Sequence, residues 1–167
     1  MPLKISEVQH PVTVGSLTVS RVIDQIPGVG TASLYTAGDA VGTKFQIPNV
    51  FRYPGAGVTL HTALFLDRDD EGVAMELVLF NADFTATADN TALSISDEDI
   101  SNLVGIVSWA TTDFVNYAAN QVGFKVGLGL LINGGPTPHL YGQFMTRGGP
   151  TIAAANIPGV RLVFLQD

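Results

Sequence analysis

The chain of 167 residues contains no cysteine, which excludes a thiolate nucleophile, a disulfide framework and thiolate zinc sites, so folding does not depend on oxidation. Histidine is scarce as well: His10, His61 and His139 stand far apart, with no His-x-x-x-His or Glu-x-x-His pairing to nucleate a zinc or iron site. Charge is low, at 14% of residues against a usual value of about 25%. The eight lysines and arginines are scattered among fifteen acids, giving a net charge of -7, and without a concentrated basic patch DNA or RNA binding is not expected. No apolar run approaches the ~20 residues of a membrane span, and Met1 to Glu7 lacks the long apolar stretch of a secretory leader, so neither membrane insertion nor export is expected.

What is present is alternation. Val58, Leu60, Leu64 and Leu66 share one parity, Arg68-Asp69-Asp70-Glu71-Gly72 forms a charged reversal, and Val73, Met75, Leu77 and Leu79 return. The pattern predicts a β-hairpin from Gly57 to Asn81 that pairs Leu66 with Val73, Leu64 with Met75 and Leu60 with Leu79. A slip by one residue would bury His61 and Asp67 instead. The second face of this hairpin, with Phe65, Val78 and Phe80, is too apolar for open water and must meet an opposing sheet or another subunit.

Residues 1–15 read as an N-terminal arm and 16–167 as a single domain, long enough to bury roughly two thirds of its unfolded surface. Further strands are expected over Ser16 to Ile23, Lys44 to Ile47, Val104 to Trp109, Val122 to Ile132, His139 to Arg147 and Gly159 to Leu165, separated by Gly- and Pro-rich breaks. Along Val122 to Ile132 the apolar residues share one parity, while Gly123, Gly127 and Gly129 lie on the other. Such glycines either let another backbone approach or mark a bulge. Asn81 to Thr91 reads as a polar surface loop. Ser96-Asp97-Glu98-Asp99 reads as the cap of one short helix. The expected fold is all-β: an antiparallel β-sandwich or jelly-roll-like barrel of about seven or eight strands with one short helix.

No catalytic signature is legible. Asp67 to Gly72 starts like a calcium loop, but Val78 stands where a bidentate glutamate is required, and a solvated turn is the better reading. No Gly-x-Ser-x-Gly elbow, Walker sequence or dinucleotide fingerprint occurs. His61 lies diagonal to Glu76 in the hairpin register and suits a surface pair. An enzyme would need Asp67, Glu76, Asp83, Asp113 and a histidine to cluster in space. A sugar platform would need Trp109 with Tyr53, Tyr117 and Tyr141, as in β-sandwich lectins, although a lone tryptophan in an apolar run suits a core better. No cofactor is implied.

Several segments in order resemble the head decoration, cement or auxiliary capsid proteins of tailed bacteriophages. They are Tyr35 to Gly42, Leu64 to Asp67, Leu77 to Phe80, Asp89 to Ser96, His139 to Gly142 and Val160 to Leu165, covering about residues 35 to 167. The resemblance implies a non-enzymatic virion protein on the capsid exterior, often a homotrimer, seated where major capsid protein subunits meet. With the apolar second face and the glycine-faced strand, it makes Phe65, Val78, Phe80, Gly123, Gly127 and Gly129 the candidate interface. Neck, tail or fibre proteins of the same viruses share the style, and a carbohydrate-binding or adhesion module is the alternative class.

Overall fold

The computed structural model describes residues 17–30, 34–153 and 155–166, and the expected arm lies outside them. Nine strands form two antiparallel sheets: β1 (Leu17–Ile23), β2 (Ala40–Ile47), β3 (Gly57–Asp67), β4 (Met75–Phe80), β5 (Leu103–Trp109), β6 (Phe114–Asn116), β7 (Gln121–Asn133), β8 (Leu140–Thr146) and β9 (Gly159–Gln166). The larger sheet has the order β1-β9-β3-β7-β6 and the smaller β2-β8-β4-β5. With the short β6 set aside, β1 pairs β9, β2 pairs β8, β3 pairs β7 and β4 pairs β5. The chain is one long hairpin folded over on itself, so successive strands from β1 to β4 alternate between sheets. That is jelly-roll connectivity in an open sandwich.

The expected hairpin from Gly57 to Asn81 does not form. Its arms are strands, but β3 lies in the larger sheet between β9 and β7, and β4 lies in the smaller between β8 and β5. Period-2 patterning marks a strand without naming its partner, and both arms are apolar enough to be central strands. The reversal is instead an arch from sheet to sheet, pinned outward on every side. The Asp67 carboxylate accepts the Asp69 and Gly72 amides at 3.1 and 2.7 Å. Arg68 donates to the Asp24 and Ile157 carbonyls, and Asp69 accepts from Asn156 Nδ2 at 2.9 Å.

The burial parity of β3 also changes partway. Val58 and Leu60 face the core, and beyond the bulge at His61 the buried residues are Ala63, Phe65 and Asp67, while Leu64 and Leu66 turn outward. Against β9 the pairing runs from Leu60–Phe164 to Thr62–Val163, so His61 is the one extra residue. Opposite it, β7 carries its own irregularity between Val126 and Leu130, where Gly127 and Gly129 adopt φ of 67° and 61°. Phe124 and Val126 consequently point out and Ile132 points in, so neither strand presents one uninterrupted apolar row.

Between the sheets lies one main apolar cluster, centred on Phe144, whose ring centroid stands 5.3 Å from Phe65, 5.8 Å from Phe45 and 6.2 Å from Trp109. The expected helix after Ser96 is a single 3-10 turn, Asp99–Asn102, and a second follows at Thr111–Asp113. The N-cap position of the first turn is Glu98, with no side-chain cap, and the Ser96 hydroxyl two residues earlier accepts the Asp99 amide at 3.1 Å. The chain enters β5 at Leu103, which leaves no room for a second turn.

Candidate interaction surface

The two outward faces of the sandwich are treated oppositely. Over the smaller sheet lies the segment Asn81 to Glu98, which seals the face, so Asn81 to Thr91 is not the surface loop its composition predicts. Phe84 stacks on Phe80 with centroids 4.0 Å apart, and Leu93, Ile95, Leu103 and Tyr141 complete a second apolar cluster with Val78. Polar side chains fasten this cover. The fully buried Gln143 accepts the Thr87 amide and donates to the Thr87 and Gly42 carbonyls. The Asp89 carboxylate accepts the amides of Gly30 and Gly42 at 2.7 and 2.5 Å and the Tyr35 hydroxyl at 2.9 Å. Gly42 sits at φ 71°, where an added Cβ would lie 2.5 Å from the Pro27 carbonyl oxygen, so only glycine can offer its amide to Asp89 there.

The larger sheet has no such cover among the described residues. On its outer side Arg161, Leu64 and Phe124 form one row across β9, β3 and β7, and Val163, Thr62 and Val126 form the next. Val126 is 69% exposed and Leu131 63%. Of the fifteen acids in the chain, the five strands of this sheet contain one, Asp67, which is buried at the end of β3. Arg161 is the cation of the face and has no hydrogen-bond or ion-pair partner among the described residues. The result is a broad apolar surface with almost no negative charge on an acidic protein.

The six candidate interface residues are not gathered into one surface. Phe65 and Gly123 are register partners facing the core, and a Cβ on Gly123 would stand 2.8 Å from Trp109 Cδ1, so the close approach its glycine permits is made by this indole. Val78 and Phe80 lie under the cover on the other sheet. Gly127 and Gly129 are open to solvent at the irregularity of β7, with nothing near their Cα hydrogens, which is the bulge reading of the glycine pattern. The outer side of the larger sheet is formed instead by Leu64, Phe124, Val126, Leu131 and Val163. Alternation placed some of them inward, because the sequence shows no signal for the parity change at His61.

The groups considered for chemistry are engaged elsewhere. Glu76 pairs with Arg147 at 2.7 Å, Asp83 with Lys44 at 2.6 Å and Asp113 with Lys125 at 2.6 Å, while Asp67 serves the backbone of its own arch. His61 meets Thr62 Oγ1 at 2.8 Å and lies in the opposite sheet from Glu76, so the expected surface pair is absent. Among the described residues no three of His, Asp or Glu are grouped to hold a metal ion. Trp109 is 1% exposed and cannot serve as a sugar platform, and Tyr53 and Tyr117 lie on loops that follow different sheet edges, β2 and β6. A cavity of about 20 Å³ beneath the arch, lined by Phe65, Asp67, Met75 and Ile152, has room for one water. An open depression of about 550 Å³ beside the cover is spanned by the Lys44–Asp83 pair.

These pairings set the response to pH. The hydrogen bond from Lys44 holds the Asp83 carboxyl below its ordinary value, and that from Lys125 does the same for Asp113. A carboxyl with a depressed folded pKa adds stability above its unfolded value, near 3.9, that is lost as pH falls through the folded one. Burial, followed by the bond to Asp89, raises the Tyr35 phenol above its ordinary value. Its contribution is complete below about pH 10 and is lost above it. The melting temperature should therefore stay level from about pH 6 to 9 and fall toward both pH 3 and pH 11, and Tyr35→Phe should flatten the alkaline limb alone. Calorimetry across that range checks both limbs.

No protein-family model matches the chain, and no curated protein matches it. Fold and surface define an antiparallel β-sandwich with one sealed and one bare outer face.

Proposed function

We propose that the protein is a structural, non-enzymatic contact protein of a virion, one that decorates and cements a bacteriophage capsid from outside through contacts with major capsid protein subunits and with copies of itself. The observation that carries this reading is the contrast between the two outer faces: among the described residues some eighteen seal one, and the other is bare, apolar and free of exposed acids on its strands. A surface of that kind is suited to burial against a partner. The low charge and the engagement of every candidate catalytic acid by a neighbour or by backbone support it further. The connectivity is shared by viral capsid and lectin domains alike, so the fold by itself chooses neither.

Each copy in such a role buries apolar surface at roughly 25 cal/mol per Å², and many copies together resist the outward pressure of packaged DNA. The test is to add purified protein to capsids that lack it and follow co-sedimentation and the temperature at which shells rupture. Saturable binding with a rise in rupture temperature is expected. Absence of binding, together with retention on a glycan array, would replace this reading with the adhesion module.

A further inference from the structure

We infer that the bare outer face of the larger sheet is covered by the same face of a second copy of this chain, related by a two-fold axis running along β3. The inference deepens the contact role proposed above by naming the partner of that face.

Three observations select a second copy. The first is charge. Two chains of net charge -7 repel one another, and this face lets them meet with no carboxylate on its strands but the buried Asp67. The second is symmetry. β3 is the middle strand, β9 and β7 flank it, and Arg161, Leu64 and Phe124 share a row. A two-fold axis parallel to β3 lays β9 of each copy over β7 of the other. Each Leu64 then faces its equivalent, and each Arg161 guanidinium lies over the Phe124 ring opposite, a cation–π contact that needs no carboxylate. One cation and one aromatic at equal distances on either side of the axis make the surface complementary to itself, the requirement of an isologous contact. The third is size. Five strands about 4.8 Å apart, 3 to 13 residues long and holding 42 residues in all at ~3.3 Å each, give a footprint on the order of 650 Å² per copy, and a pair passes the roughly 1,000 Å² of a specific interface.

Light scattering on the purified chain should give twice 17.6 kDa at tens of micromolar. Val126→Glu changes an exposed side chain, so its circular dichroism and melting of the monomer should match the parent, while a charge buried in the pair raises the dissociation constant by about a hundredfold or more. Phe124→Ala and Arg161→Ala should each weaken the pair by up to about tenfold, and the double variant by no more than the larger single effect. Because the chain has no cysteine, Thr62→Cys supplies one thiol on β3, and a bismaleimide spanning the ~10 Å between packed sheets should join two copies. A dimer indifferent to Val126→Glu, a trimer, or a monomer whose outer face is protected until residues 1–16 are removed would each overturn the inference. A monomer that still binds capsids would overturn the pairing alone. A face-dependent dimer that ignores capsids would overturn the proposed role and leave the pairing standing.

Discussion

Deletion of His61 is expected to destabilise the protein by at least ~3–5 kcal/mol, the cost of taking a phenylalanine out of a core, whereas His61→Ser should cost less than about 1 kcal/mol. The side chain of His61 makes one hydrogen bond among the described residues, with its neighbour Thr62, and its loss is minor. Its backbone is the extra residue that lets Val58 and Leu60 face inward on one side of the bulge and Ala63 and Phe65 on the other. Without it the residues after Leu60 change faces. Phe65 leaves the rings of Phe144, Trp109 and Phe114, and Leu64 and Leu66 arrive in a space shaped for other side chains. Urea unfolding of the two variants separates the roles, and a deletion variant with the parent's midpoint would show that the bulge does not set the facing of β3.

Asp89→Ala should cost about 3 kcal/mol and act locally before it acts globally. Its carboxylate receives two amides and a phenol from segments far away in sequence, and a hydrogen bond to a charged group contributes ~1.5–3 kcal/mol. Removing it orphans the Gly30 and Gly42 amides together and leaves the Tyr35 hydroxyl the Gly30 carbonyl at 3.1 Å, so the separate contributions do not simply add. Hydrogen exchange should accelerate first at the amides of Phe84 through Ile95 as the cover lifts from Phe80, with β3, β7 and β9 unaffected at low denaturant. Asp89→Asn should fall between, since its amide keeps one acceptor and turns a donor toward other donors. Equal acceleration across both sheets would mean that the cover and the sandwich unfold as one unit.

The strands were legible because alternation bounded by glycine and proline is a local signal, and all eight expected segments coincide with strands to within four residues at either end. Their partners were not, since Leu60 and Leu79 are equally apolar whether they pair with one another or face each other across a sandwich. The parity change was hidden for the same reason: His61 between Leu60 and Thr62 looks like any outward residue. Residues 81–91 read as a surface loop on composition, which counts threonines and aspartates as solvent-seeking although Thr87 and Asp89 serve buried backbone. The bare face did leave a trace in the sequence. The four longest strands of the larger sheet carry one acid among 39 residues, but that becomes informative only when those strands are known to lie side by side.

The position of β9 has a consequence for biosynthesis. It is the ninth of the described strands in chain order, yet it lies between β1 and β3, so the first and third strands stay unjoined on that side until residue 159 and beyond have left the ribosome. The adjacent-in-sequence pairings, β4 with β5 and β6 with β7, can close early, and the others wait. Such non-local pairing places folding in the milliseconds-to-seconds range of β-sandwiches. Nascent chains therefore carry a β3, apolar on both sides, that lacks its β9 partner from residue 67 until residue 159 is made, and crowding on a polysome in that interval exposes the protein to aggregation.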